Sequence, residues 1–347
     1  MTKELLTPKK LGTRIVSTLL VLMLTMFLCS MIGTEDVSLN AVFAEQTADK
    51  INIDYEIFVH IRLPRIILAA AIGAALACSG VILQALLRNP LADPYILGIS
   101  SGAGLGAVIA ILAGLSWDLW WGSPIAVFAF AGALATVWLV WGIGTLTGRS
   151  HITGLLLAGV VVNAFFSAVI MFLTSIARSK QIQMTIFWLM GNLNMAAMEN
   201  YNVIWITIGT VVAGVIVLFY IGPQLNLLSL GTEDARTMGV NIARIQLIAF
   251  AVAALITAVA VSLSGLIGFV GLIVPHGVRL VFGPDHRQLI PISAITGAIF
   301  LVIADTLARI VVAPAQLPVG VITALVGGPF FLFLLVKYTR KVSWTGK

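Results

Sequence analysis

The sequence contains ten separate stretches of mostly apolar residues, and this repetition restricts the fold more than any other feature. A transmembrane helix needs about 20 such residues, and most of the stretches approach or reach that length. Lipid offers no partners to backbone N–H and C=O groups, so each run is expected to satisfy them within a helix. We therefore predict an all-α polytopic membrane protein with about ten transmembrane helices, forming a single domain over residues 1–347. The predicted spans are 14–33, 64–87, 95–115, 123–146, 152–176, 201–221, 245–263, 265–282, 290–309 and 318–336.

The composition excludes several classes of protein. Hydrophobic residues make up 60% of the chain and charged residues 10%, against about 45–50% and about 25% in ordinary globular domains. A soluble enzyme, a disordered chain and a nucleic-acid-binding domain are therefore excluded. The two cysteines, Cys29 and Cys78, both lie inside apolar runs. We expect neither a disulfide framework nor a zinc site from them.

The distribution of Lys and Arg predicts the orientation in the membrane. With ten spans both termini lie on one side, and that side then carries 14 of the 20 basic residues. Cytoplasmic loops are rich in Lys and Arg, so both termini are predicted to be cytoplasmic and the chain to reside in the cell membrane. The first run could be read as a signal peptide, but the segment resembling a cleavage site, at 42–44, lies well beyond it. A further apolar segment, 181–193, is too short to span and is expected at the interface.

The predicted spans lack the groups that would energise transport within this chain. The first seven carry no Asp, Glu, Lys or Arg at mid-depth, and Asp305 and Arg309 lie near the outer end of the ninth. Those two are four residues apart and can pair along one helix face. An ion-coupled carrier usually keeps a buried carboxylate at mid-depth. The sequence also has no GxxxxGK[ST] phosphate loop, no metal-ligand cluster and no nucleophile beside a base. We predict no catalytic, cofactor-binding or metal-binding residues, and an energy source on another chain.

Three predicted cytoplasmic loops stand out, and one of them contains a short helix. Arg88–Pro94 holds two prolines and is expected to be rigid, and a third loop runs from Pro275 to Arg287. Between them, the second loop contains a predicted helix in which Thr232 is the N-cap and Gly239 ends the helix. This helix is either a docking element or an ordinary solvated connector.

Two further patterns each allow a structural and a functional interpretation. Gly98, Gly102 and Gly106 share one helix face, which favours tight packing within the chain over a subunit interface. Arg62 and Arg65 precede the second span on the predicted outer side. They are either interface anchors or, together with Arg309, an external cationic patch for an acidic partner.

Several motifs, in a fixed order, connect the chain to a known family. It resembles the FecCD-type permeases, the membrane subunits of ABC importers for iron-siderophores, haem and vitamin B12. The resemblance extends over residues 60–336. The motifs are RLPR at 62–65, Gln84 with RNPLADP at 88–94, LGISSGA at 97–103, LLAG at 156–159, FWLMG at 187–191, GFVGLIVPH at 268–276, GPDHR at 283–287 and ADTLAR at 304–309.

The resemblance implies a vitamin B12-permease-like fold of the type II importers and a dimer of permease subunits with the path at the dimer interface. It also implies two separate ATPase subunits in the cytoplasm and a solute-binding protein outside. Residues 232–245 would be the coupling helices, with Thr232, Glu233, Asp234, Ala235, Arg236, Met238 and Gly239 facing the ATPase. Arg62, Arg65 and Arg309 would meet the binding protein. The cytoplasmic gate would comprise Asn89, Leu91, Ile152 and Thr153, and the translocation path would include Asn163 and Ser167.

The predicted function is therefore that of an ABC importer permease that moves an iron(III)-siderophore or related metal chelate into the cytoplasm. Cobalamin and haem are alternative substrates within the same family. A secondary transporter working alone is disfavoured by the missing carboxylate at mid-depth. A scaffold without transport activity would leave the rigid loops unexplained.

Overall fold

The computed structural model describes residues 6–35, 37–38, 42, 52–117, 122–146, 151–193 and 201–344. In 145–146, 151–153 and 334–344 only the backbone is described. The described chain is almost entirely helical. Its helices are α1 (Pro8–Met31), α2 (Ile53–Leu86, with a π-helical portion at Glu56–Arg62), α3 (Ile99–Ala113), α4 (Pro124–Leu146), α5 (His151–Ser175), α6 (Ser179–Leu189), α7 (Tyr201–Tyr220), α8 (Gly222–Leu230), α9 (Thr232–Thr237), α10 (Ile242–Ser264), α11 (Val270–Phe282), α12 (His286–Ile310) and α13 (Val319–Trp344).

Each of the ten predicted apolar stretches falls on one of these helices. Within the described residues, seven helices could cross a membrane by length and composition: α1, α2, α4, α5, α7, α10 and α12. The apolar helices α3 and α11 are shorter, and so is Val319–Phe333, the part of α13 whose side chains are described. The short segment predicted at the interface contains α6, which begins at Ser179. These helices make the chain a multi-pass membrane protein.

The third and eighth predicted spans begin several residues before the helices that the structure shows. The third helix begins at Ile99, because 94–97 forms a 3-10 turn and Gly98 has φ +75°. The eighth begins at Val270, because Gly265 (φ +67°) and Phe269 (φ +68°) adopt left-handed conformations that interrupt a helix. Irregular backbone is tolerated within a membrane protein where other segments cover it.

Helix α2 lies at the centre of the bundle, and 83% of the residues in its most apolar 18-residue stretch are buried. Close backbone approaches bring its neighbours against it. A Cβ on Gly73 would collide with the Gly297 carbonyl of α12, and a Cβ on Gly80 would collide with the Gly271 carbonyl of α11. Small residues that permit such contacts are typical of packed membrane helices.

The glycine face of α3 packs inside the chain, as the favoured interpretation predicted. A Cβ on Gly102 or Gly106 would collide with α4, at the carbonyls of Gly132 and Phe128 respectively. Gly98 precedes the helix, but it also lies against α4, where a Cβ would be 3.2 Å from Thr136 Cγ2. These contacts fix α3 to α4.

We refer to the two ends of the bundle by the sides that the charge distribution predicts. The predicted cytoplasmic end contains the beginning of α1, the end of α2, the end of α11 and the beginning of α12. The predicted external end contains the end of α1, the π-helical portion of α2 and the end of α12.

Candidate functional site

Three arginines come together at the predicted external end, around one carboxylate. Arg65 of α2 binds Asp305 of α12 through Nε, 3.0 Å from each carboxylate oxygen, and through Nη2, 2.8 Å from Oδ1. Arg309, one turn beyond Asp305, places its Nε 3.4 Å from Oδ2, so the predicted pairing along one helix face is present. Arg62 donates to the carbonyls of Ser30, Met31 and Glu35, which lie at and after the end of α1.

The three arginines are buried, which differs from the expected exposed cationic patch. Their exposed fractions are 4% for Arg62, 5% for Arg65 and 5% for Arg309, and Asp305 is 1% exposed. Burying a charge is costly unless it is paired and hydrogen-bonded, and here Asp305 and backbone carbonyls provide those partners. In this single chain the cluster therefore joins α1, α2 and α12, and it presents little charged surface.

The predicted gate loop, between α2 and α3, is held by side-chain caps. The Asn89 side chain accepts a hydrogen bond from Leu91 N at 2.9 Å, and the Asp93 side chain accepts one from Tyr95 N at 2.9 Å. Arg88 has φ +49°, a value uncommon for a residue other than glycine. Burial raises the pKa of Asp93 to about 6, although its bond from the Tyr95 amide opposes the shift. The loop is therefore a set of tight turns fixed by hydrogen bonds, which agrees with the rigid connection predicted from its two prolines.

Tyr95 joins this loop to the irregular segment before α11. Its hydroxyl donates to Ile267 O and accepts from Ile267 N, both at 2.8 Å. The loop also meets α5, because a Cβ on Gly159 would collide with the Ile96 carbonyl. Two gate candidates on α5, Ile152 and Thr153, have side chains outside the described part of the chain, so their approach to Asn89 and Leu91 stays a prediction.

The predicted coupling helix is present as α9, with one correction at its start. Its N-cap is Gly231, and Thr232 is the first helical residue, because Gly231 alone carries the extended backbone that separates α8 from α9. At its C-terminus Gly239 has φ +81° and donates to Arg236 O, and Val240 N donates to Ala235 O. These two bonds form a Schellman motif, so Gly239 ends the helix as predicted.

The surface of α9 is mostly open to solvent, and one side chain anchors it. Ala235 is fully buried, whereas the other coupling candidates are partly or fully exposed. Glu233 and Arg236 pair at 3.5 Å with side chains that are 82% and 66% exposed. Exposed apolar side chains flank these charges, Leu230 at 69% and Met238 at 59%. The segment therefore offers a mixed apolar and charged surface suited to a protein partner.

Hydrogen bonds tie the helix before α9 to two other loops. Arg88 Nη2 donates to Leu228 O at 3.2 Å. Asn226 donates to Asp285 Oδ1 at 2.7 Å, and its own oxygen accepts from His286 N at 2.8 Å. Burial raises the pKa of Asp285, but hydrogen bonds from Arg287 and Asn226 outweigh it and hold the value at about 2. A displacement of α8 would therefore act on the gate loop and on the start of α12.

The predicted path residues lie on a broad open face of α5. Asn163 is exposed and Ser167 is half-buried. Large apolar neighbours on the same helix are also exposed, among them Phe165 at 63% and Met171 at 72%. Among the described residues, Asn163 has no hydrogen-bond partner. A polar amide at mid-helix facing lipid is unfavourable, which favours a protein-facing or water-facing position.

Residues 20–337 match the family model described as the FecCD transport family. The chain belongs to the FecCD transport family. Its relatives include the cobalamin import system permease protein BtuC of Halobacterium salinarum, 48% identical over 79% of this chain and 72% of that protein. The hemin transport system permease protein HmuU of Yersinia pestis is 42% identical over 83% of this chain and 86% of that protein.

Solved structures agree with this assignment. An inward-facing conformation of a proposed metal-chelate type ABC transporter superposes with a TM-score of 0.82, at 30% identity, over 94% of this chain and 99% of that one. PsaBC from Streptococcus pneumoniae matches with a TM-score of 0.56 at 19% identity, over 81% and 93% of the two chains, and this likeness concerns the fold alone. The FecCD chain thus has the fold of an ABC transporter permease, and its family consists of transport permease subunits, which are not enzymes themselves.

Sequence reasoning missed the polar contacts inside this FecCD permease. Gln84 donates to Gly271 O at 3.2 Å and accepts from Arg279 at 2.9 Å, which links α2 to α11. Gln84 is a polar residue within an apolar run, and this position could have indicated a buried hydrogen bond. Asn226 lay in a predicted connector and gave no such signal. Among the described residues, no group of three or more His, Cys, Asp or Glu side chains could hold a metal ion.

Proposed function

We propose that this FecCD permease is the membrane-spanning subunit of an ABC importer that carries an iron(III)-siderophore or related metal chelate into the cytoplasm. Separate ATPase subunits supply the energy, and an external solute-binding protein delivers the substrate. The observation that carries this proposal is the match of 20–337 to the family together with the open surface of α9 at the predicted cytoplasmic end.

In the proposed mechanism, the ATPase moves α9, and α8 passes the displacement on. The Arg88–Leu228 contact would move the gate loop that contains Asn89 and Leu91. The contacts of Asn226 would move the beginning of α12. Ala235 supports this role, because its complete burial attaches α9 to the bundle without occupying the exposed surface.

A second permease copy, or a close paralogue, is proposed to cover the open face of α5. Asn163 and Ser167 then line the path between the two copies, with Ile152 and Thr153 near its cytoplasmic end. The exposed position of Asn163 supports this arrangement. A path bordered by one amide and several large apolar side chains suits a bulky chelate that is held weakly.

Arg62, Arg65 and Arg309 are proposed to lie beneath the docking surface of the binding protein. Their burial makes a direct contact depend on local rearrangement, and Arg309 is best placed for it. Its Nε is buried without a hydrogen bond, and its distance to Asp305 is longer than that of Arg65. An acidic side chain of the binding protein could supply the missing acceptor.

Cobalamin is the second candidate substrate, favoured by the 48% identity to a permease named for cobalamin import. The deciding experiment measures the binding of ferric siderophores, haem and cobalamin to the solute-binding protein that co-purifies with the permease. Uptake of the bound compound by the reconstituted complex then completes the assignment. Binding of a ferric siderophore alone is the expected result, whereas binding of cobalamin alone would replace the proposed substrate.

A further inference from the structure

A basic cleft opens at the predicted cytoplasmic end of the bundle, beside the gate loop, from which Arg88 and Pro90 line it. Its volume is about 1070 Å³, and α1, the end of α2, α8, the end of α11 and the beginning of α12 border it. Five basic side chains line it, and Asp285 is the one acidic residue among the described lining residues. The basic residues are Lys10, Arg14, Arg88, Arg279 and Arg287.

The one carboxylate among the described lining residues, that of Asp285, is already engaged. Arg287 binds Asp285 through Nε, 3.1 Å from each oxygen, and through Nη2, 2.6 Å from Oδ2. Asn226 adds a further bond to Oδ1. Asp285 is thus committed to one cation, and the described lining residues keep an excess of positive charge.

Three of the other cations are anchored by neutral acceptors. Arg14 Nη1 donates to Gln288 Oε1 at 2.5 Å, and Arg279 Nη2 donates to Gln84 Oε1 at 2.9 Å. Arg88 donates to the Leu228 carbonyl. A hydrogen bond to a neutral acceptor orients a guanidinium without itself cancelling the charge, and each guanidinium has five N–H donors. The groups are therefore oriented for an anion that binds several donors at once.

Exposed apolar side chains lie directly beside this charge. Val281 lines the cleft and is 76% exposed, and its neighbour Leu280 is 68% exposed. On α1, Val21 is 50% exposed and lies seven residues beyond Arg14, which places the two side chains on one helix face. Arg14 also lies over the Phe282 ring, 5.6 Å from its centroid. A ligand with an anionic head and apolar tails fits both surfaces, whereas a free anion would use only the first.

We propose that this cleft binds the headgroup of an anionic phospholipid, with its acyl chains against α1 and the end of α11. In the predicted orientation, the cleft faces the leaflet whose surface carries negative charge, and basic pockets between transmembrane helices at this depth bind anionic headgroups. The phosphate oxygens accept from Arg14, Arg88 and Arg279. The bound lipid would hold α1, which is otherwise largely exposed, against α12.

The test is native mass spectrometry of the purified full-length permease with phosphatidylglycerol or with phosphatidylcholine of the same acyl chains. We expect retention of phosphatidylglycerol to exceed that of phosphatidylcholine by at least about tenfold, since each basic residue near a surface adds a factor of about five and three of them contact the headgroup. Arg14→Gln combined with Lys10→Gln should remove most of this preference. Lys9→Gln is the matched control, because Lys9 is exposed on the same helix end and does not line the cleft.

Any of four results would overturn the proposal. The first three are equal retention of the two lipids, the same loss of lipid preference in Lys9→Gln as in the double variant, and full competition by glycerol 3-phosphate at the lipid's concentration, which would indicate a site for free anions. Loss of ATPase co-purification in the cleft variant, with lipid retention unchanged, would assign the cleft to a protein partner. Melting curves of each variant in detergent establish that it is folded. If the double variant unfolds, lipid retention is compared between the single variants Lys10→Gln and Lys9→Gln.

Discussion

Arg65 and Asp305, 240 positions apart in the sequence, form a buried ion pair that joins α2 to α12, with Nη2 and Oδ1 2.8 Å apart. Two more arginines, Arg62 and Arg309, lie in the same cluster. Asp305 is the carboxylate bound by two of the three, so the cluster depends on it more than on any single arginine.

Replacing Asp305 with Asn should destabilise the permease severely. Removing one partner of a buried ion pair leaves uncompensated charge and costs about 3–5 kcal/mol. Thermal unfolding in detergent measures the loss. Glu233→Gln is the control, because its pair with Arg236 is exposed and such pairs contribute about 1 kcal/mol or less. Equal melting temperatures for Asp305→Asn and Glu233→Gln would contradict a structural role for the cluster.

Arg309→Gln should weaken docking of the binding protein more than it destabilises the permease. It leaves the Arg65–Asp305 pair intact and removes a buried charge whose Nε lacks a hydrogen bond, so the melting temperature should fall less than in Asp305→Asn. If Arg309 contacts the binding protein, the affinity of that protein for reconstituted permease should drop at least about fivefold, as for loss of a charge-assisted hydrogen bond. Unchanged affinity in the folded variant would remove Arg309 from the docking surface.

Met238→Ala should weaken assembly with the ATPase while leaving stability nearly unchanged. Met238 is 59% exposed beside α9, and exposed substitutions usually change stability by less than about 0.5 kcal/mol. Co-purification of the ATPase subunit is the measurement. Leu20→Ala, on an equally exposed apolar position of α1, is the control and should leave assembly intact. Equal assembly by both variants would show that Met238 makes no contact with the ATPase.

Asn163→Leu should lower uptake without lowering the melting temperature of the isolated chain. The amide has no partner among the described residues, so its loss removes no intramolecular bond. Thr210→Leu is the matched control, since it also replaces a polar side chain with leucine, on α7. If the two variants transport equally well, Asn163 does not line the path.

The pH dependence of stability should contain a contribution from Asp93. Its pKa is raised from 3.8 to about 6 by burial, so folding favours the protonated form. The resulting cost is fully present above about pH 6 and disappears as the pH falls towards 4. Asp93→Asn should keep the cap on Tyr95 N and flatten the melting temperature over this range. An identical pH profile in Asp93→Asn and wild type would contradict the shift.

The apolar runs were sufficient to predict the helices and their approximate bounds. They failed at Phe269, because a left-handed residue other than glycine leaves no pattern in the sequence. The burial of Arg62 and Arg65 was equally hidden, since their partners lie in distant segments and a flanking arginine usually reaches for the interface. The acidic first turn and the glycine at the end were sufficient to predict the helix α9. Only its N-cap was misplaced, by one residue.

Transport through this permease is expected to be energised by ATP hydrolysis on a partner chain. The most direct test measures chelate uptake into proteoliposomes that contain the permease, its ATPase and the binding protein. Uptake should require hydrolysable ATP and should persist when ionophores collapse the proton and sodium gradients. Uptake that stops when the gradients collapse, while ATP remains intact, would show that ATP hydrolysis does not energise transport.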